Sequence, residues 1–137
     1  MARLISLEQA EAIVRACKAE ADRIGQPMNI AVVDDGANLV TFSSMDGTKL
    51  VGVDIAQRKA LTAVYFQADT KDLAALVQPG QPLFGIESTS GGRLVVFGGG
   101  VLLRDASGEV AGGVGVSAGS VEQDHQVADA GRAVFAP

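Results

Sequence analysis

The sequence predicts an α+β fold in which a five-stranded antiparallel sheet is covered by helices, in the order α-β-β-α-α-β-β-β-α. Three observations carry this. Apolar residues recur at helical spacing near both ends and in the middle of the chain. Two pairs of β-prone runs are separated by only three and five residues, a hairpin length and not a crossover length. The chain has 137 residues, 47% of them apolar, which suits one domain over residues 1–137 with one core.

Each element has its own signal. Ser6, with Gln9 three residues later, forms a capping box that opens the first helix. Ala10, Ile13, Val14, Cys17, Ala21 and Ile24 then make one apolar stripe, and Gly25 and Pro27 end the helix. Residues 29–34 and 38–43 are β-prone and are joined by Asp35-Gly36-Ala37 as a tight hairpin. The loop from Ser44 to Thr48 leads into a second helix, residues 50–66, whose apolar positions include Val53, Ala56, Ala60, Ala63 and Val64. Thr70 is placed to cap a short third helix ending near Val77, and Pro79-Gly80-Gln81-Pro82 breaks regularity after it. Residues 94–97, 101–104 and 110–117 are three further strands, the last two joined by a turn at Asp105-Ala106-Ser107-Gly108. A second capping box, Ser120 with Gln123, opens a final helix to about Ala130.

Composition narrows the function. The net charge of −5, with no Lys/Arg run, argues against nucleic acid as partner. The absence of Trp and the 4% aromatic content leave no base-stacking platform. One cysteine and one histidine exclude an internal disulfide and a multi-histidine metal centre. No apolar run is long enough for a membrane span, and the opening residues lack the pattern of a secretory leader. The expectation is a reducing, cytoplasmic location with no membrane partner. The 17 glycines concentrate after position 80, interleaved with Val and Leu, and imply close backbone approach by a ligand, a helix or another subunit.

Three stretches resemble the GlcG/HbpS-like family, also described as the heme-degrading or PduO C-terminal-like family. They are Ile30–Gly36 with Leu39-Val40; Met45-Asp46-Gly47 followed by Lys59-Ala60 and Thr62-Ala63; and Gly112–Gly119 followed by Glu122-Gln123-Asp124 and Ala130-Gly131. The resemblance implies a profilin-like fold, heme as ligand, and assembly into homo-oligomers (dimers, tetramers or octamers). It also implies a ligand pocket rimmed by Met45, Asp46, Gly99, Gly100, Ser117 and Gly119. The sequence departs from the family at Ser44, often Arg, and at Leu102, which stands in a usual Pro position.

Several residues carry candidate chemistry. Asp34, ending an apolar strand, suits a general base or an Asx turn at the hairpin. Lys59 suits an acid–base group, a partner for a carboxylate or heme propionate, or a lysine snorkelling from the helix. The N–H groups at Gly119-Ser120 can attract an anion, but Glu122 and Asp124 already answer the helix dipole, which favours simple capping. Ser117 can point a hydroxyl into a pocket, yet no Ser-His-Asp pattern or nucleophile elbow surrounds it. His125 is a candidate heme ligand, and Cys17, Met28, Met45 and Tyr65 are other axial candidates. Glu8 and Glu11, at i and i+3, match an iron-site pattern proposed within the family, and also match a solvated helix face.

Three functions follow from these residues. The first is a small-ligand binder, with heme leading. The second is a cofactor-independent enzyme for proton transfer, tautomerisation or hydrolysis of a small carboxylated catabolite, using Asp34 and Lys59. The third is a non-catalytic oligomeric sensor or assembly subunit.

Overall fold

The computed structural model describes residues 3–135. Met1, Ala2, Ala136 and Pro137, inside the expected domain range, lie outside the described residues. The element order is α1 Leu7–Ile24, β1 Asn29–Asp34, β2 Leu39–Ser44, α2 Val51–Phe66, two 3₁₀ segments at Thr70–Val77 and Ile86–Ser90, β3 Gly100–Arg104, β4 Val110–Ser117 and α3 Val121–Ala133. The fold is α+β. All strand pairings are antiparallel and the sheet order is β2-β1-β4-β3.

The sheet is sandwiched between two helical layers. Ile30 and Val32 of β1, with Val114 and Val116 of β4, face α1 and α3 in the main core. Ala31 and Val33 face the other way, against Ala56, Ala60 and Val64 of α2. The period-2 alternation of β1 thus serves two cores at once, which is why all six of its residues are buried. On β4 the residues facing α2 are glycines. A Cβ on Gly113 would stand 2.6 Å from the Ala60 carbonyl oxygen, and one on Gly115 would strike the Ala56 carbonyl oxygen. The glycine-rich strand is therefore a seat for a helix backbone.

Both capping boxes form as the sequence predicts, at Ser6/Gln9 and Ser120/Gln123. The sheet has four strands, not the expected five. Residues 94–97 run without a strand partner; the Val95 N–H donates to Thr62 Oγ1 at 3.0 Å instead. The edge of β3 that a fifth strand would occupy is taken by side chains. Thr70 Oγ1 accepts from the Gly100 N–H at 2.9 Å, and Asp69 Oδ1 accepts from the Leu102 N–H at 3.0 Å. These contacts close the edge against further pairing. They also redirect Thr70, expected as a helix cap: the segment it begins is 3₁₀, follows Asp69, and carries no side-chain cap. The α3 helix runs to Ala133, three residues past the expected end.

Candidate functional site

The register brings Asn29, Ser44 and Ser117 to one end of the sheet. The loop from Met45, the start of α2 and the start of α3 gather there, together with Gly99, Gly100 and Gly119. Asn29 is buried and ties this end together. Its Nδ2 donates to Thr48 Oγ1 and the Lys49 carbonyl, each at 3.1 Å, and its Oδ1 accepts from Ser44 Oγ at 2.7 Å.

Lys59 is fully buried at the same end. Its Nζ donates to Asp124 Oδ2 at 2.8 Å and to the Val116 carbonyl at 2.9 Å, with the Phe97 ring centroid 5.0 Å away. Asp124 Oδ1 accepts from the Gly119 N–H at 2.9 Å. Lysine and aspartate come from helices on opposite faces of the sheet. Gly99 makes the passage: at φ +123 it adopts a backbone favouring glycine, and a Cβ there would stand 2.5 Å from Lys59 Nζ. Burial pushes the Lys59 pKa down and the Asp124 pKa up, and in each case the partner's charge opposes the shift.

The residues expected to rim a pocket therefore divide. Gly99 and Gly100 are buried against α2, since a Cβ on Gly100 would stand 2.5 Å from the Lys59 carbonyl oxygen. Ser117 is buried and Gly119 donates to Asp124. Met45 and Asp46 line an open cleft of about 450 Å³ with Lys18, Asp22 and Ser43. Asp34 is remote from Lys59: it pairs with Gly112, whereas Lys59 bonds to Val116, four residues along β4 and about 13 Å away by strand rise. Its Oδ1 accepts from the Gly36 and Asn38 N–H groups, each at 2.9 Å, which is the Asx-turn geometry.

The metal-binding candidates also separate. Glu8 and Glu11 are exposed on α1, and among the described residues no group of three His, Cys, Asp or Glu could hold an ion. Cys17 is buried beside Gly131, and burial pushes its thiol up to about 12. Met28 is fully buried. Met45 is half-buried, its Sδ accepting from the Met28 N–H at 3.4 Å. His125 is half-buried, with Nδ1 sealed and without a hydrogen-bond partner. Burial lowers its pKa, helped by the charge of Lys71. Tyr65 is 50% exposed, with the Arg93 guanidinium 5.6 Å over its ring.

A second cleft, of about 240 Å³, lies between α2 and the β1–β2 hairpin. Val33, Leu39 and Leu61 give it apolar walls, and Arg58 and Arg93 stand at its rim. Sequence reasoning did not find this cleft, nor Asp124 as the counter-ion of Lys59. A signal for the latter existed: Lys59 lies on the stripe of α2 that carries Gly52, Ala56, Ala60 and Ala63, all buried. A lysine there needs a buried acid.

Comparison with known proteins agrees with this fold. The sequence profile of the family described as haem degrading protein HbpS-like matches residues 5–133. A 15.0 kDa protein of the dhaT-dhaS intergenic region of Citrobacter freundii is 38% identical over 125 residues, which cover 91% of this chain and 87% of that protein. The corrinoid adenosyltransferase PduO of C. freundii is 39% identical over 126 residues, covering 91% of this chain but only 37% of PduO. Among solved structures, the PduOC:heme complex has a TM-score of 0.91 at 36% identity, covering 94% of this chain and 93% of that one. By these matches, and by the motifs that first suggested it, the chain belongs to the HbpS-like family.

Proposed function

We propose that this protein binds a small ligand and that the ligand is heme. The observation that carries the reading is the likeness to the PduOC:heme complex, at 36% identity over 94% of the chain. The family's description as heme-degrading supports it. The donor set suits the group in kind. Heme iron accepts imidazole, thioether or phenolate ligands; His125, Met45 and Tyr65 are at least half-exposed or half-buried, whereas Cys17 and Met28 are packed in the core.

The acid–base alternative draws less from the geometry. Asp34 is occupied by its turn and Lys59 by Asp124, and the two stand about 13 Å apart along β4. Self-association remains part of the proposal, because an open cleft buries one side of a porphyrin and a second subunit can cover the other.

Titration of the purified protein with hemin tests the reading. The expected result is a Soret band that sharpens and saturates at a fixed stoichiometry. A linear, unsaturating change contradicts it. Decay of the bound Soret band under ascorbate and oxygen then separates degradation from storage.

A further inference from the structure

The cleft between α2 and the β1–β2 hairpin is lined by a cation whose base is fixed and whose charge is free. Residues 93–96 run without regular structure, yet α2 fastens the chain on both sides of Arg93. Arg58 Nη1 donates to the Gly92 carbonyl at 3.0 Å, and the Val95 N–H donates to Thr62 Oγ1 at 3.0 Å. Thr62 is itself oriented, its hydroxyl donating to the Arg58 carbonyl at 2.7 Å. The Arg93 guanidinium makes no ion pair among the described residues and lies 5.6 Å over the Tyr65 ring. Fixing the backbone in advance lowers the ordering cost of any contact this side chain makes with a ligand.

The rest of the cleft defines the ligand. Asp54, Arg58, Leu61 and Tyr65 follow at spacings of four, three and four, so they form one stripe along α2. Val33, Leu39 and Leu61 give apolar walls, and Leu39 is 50% exposed there. The charged lining residues are Asp54, Arg58 and Arg93, and Arg58 is neutralised by Asp54 at 2.7 Å. One positive charge is left over. At about 240 Å³ the cleft is smaller than the about 300–1,000 Å³ of sites for drug-sized molecules, so its ligand is small.

We propose that this cleft binds a small monocarboxylate with an apolar body, a cyclic or branched-chain acid, with its carboxylate on Arg93 and its body against Leu39 and Leu61. Guanidinium takes carboxylate in a planar, two-point fashion. A second carboxylate on the ligand would meet Asp54, so the site selects against diacids by like-charge repulsion. The proposal does not depend on heme binding, since a ligand of this size is not a porphyrin.

The probe is cyclohexanecarboxylate, which is transparent where tyrosine absorbs. Tyr65 is the one tyrosine in a chain without tryptophan, so its emission reports on Arg93 directly. Calorimetry and Tyr65 emission are followed in parallel on the wild type, and calorimetry alone on Arg93→Gln, Leu39→Asn, Asp54→Asn and the remote Arg15→Gln. Urea unfolding first verifies that each variant folds. The wild type should show saturable heat, with a change in emission at the same midpoint. Arg93→Gln should weaken binding about tenfold or more, and Leu39→Asn about threefold. Asp54→Asn, which removes the negative charge beside Arg58, should tighten binding about threefold and admit cyclohexane-1,2-dicarboxylate, which the wild type rejects. Arg15→Gln should change nothing. No saturable heat, heat without a change at Tyr65, or binding that Arg93→Gln leaves intact overturns the site. Equal affinity for inorganic phosphate or for the neutral cyclohexanecarboxamide overturns the ligand class.

Discussion

Replacing Asp124 with alanine isolates the contact that joins the two helical layers. Its partner Lys59 has 0% side-chain exposure and Asp124 has 4%, so water cannot compensate the lost charge. Breaking a buried pair from one side costs about 3–5 kcal/mol, because the remaining charge stays buried. The Gly119 N–H loses its acceptor as well. With a urea slope of about 2 kcal/mol/M, the midpoint should fall by about 1.5–2.5 M. The total stability of a domain is only about 5–15 kcal/mol, so the loss is a large share of it. The double variant Lys59→Met/Asp124→Leu removes both charges and should recover most of the deficit, since an apolar pair avoids desolvation. Urea unfolding followed by circular dichroism measures all of these. A loss below about 1 kcal/mol for Asp124→Ala, or a double variant as weak as the sum of two singles, refutes the reasoning.

Three further outcomes follow from named contacts. Gly115→Ala drives a methyl into the backbone of α2 at Ala56 and Ala60, and should cost about 2–3 kcal/mol or more; an unchanged urea midpoint contradicts that packing. The Cys17 thiol, pushed up to about 12 by burial, should react with a disulfide reagent only as fast as the chain opens, and labelling within seconds in native buffer contradicts it. His125 has its pKa lowered below 6.5 by burial and by Lys71, against the opposing charges of Asp129 and Asp69. The unfolded chain therefore binds the proton first as pH falls, so stability should drop from about pH 6.5 down to the folded value and then level. His125→Gln should remove that part of the slope; equal slopes in wild type and variant would show that another group carries it.

Much of the fold was legible because its signals are local. Ser6/Gln9 and Ser120/Gln123 each fix a helix start within a few residues, and the turns at Asp35 and Asp105 fix two hairpins. What failed depended on distant residues. The apolar run 94–97 has strand composition, but the edge it would join is filled by Asp69 and Thr70, side chains about thirty positions away. Glycine clustering implied close approach by a ligand, a helix or another subunit, and at Gly113 and Gly115 the agent is the helix α2. The candidate site was harder still. The position of Lys59 on a buried stripe was readable, whereas its pairing with Asp124 through the gap at Gly99 needs three segments at once. The stripe from Arg58 to Tyr65 was readable as a helix face, but Arg93 reaches it from a loop without regular structure.

Heme binding is tested most directly by urea unfolding with and without hemin. A ligand that binds only the folded chain stabilises it by about 2.7 kcal/mol when free ligand is one hundred times its dissociation constant. At a slope of about 2 kcal/mol/M, the midpoint should rise by more than about 1 M. A midpoint that stays or falls as hemin is added, the mark of a porphyrin that adheres equally to the unfolded chain, contradicts a specific heme site.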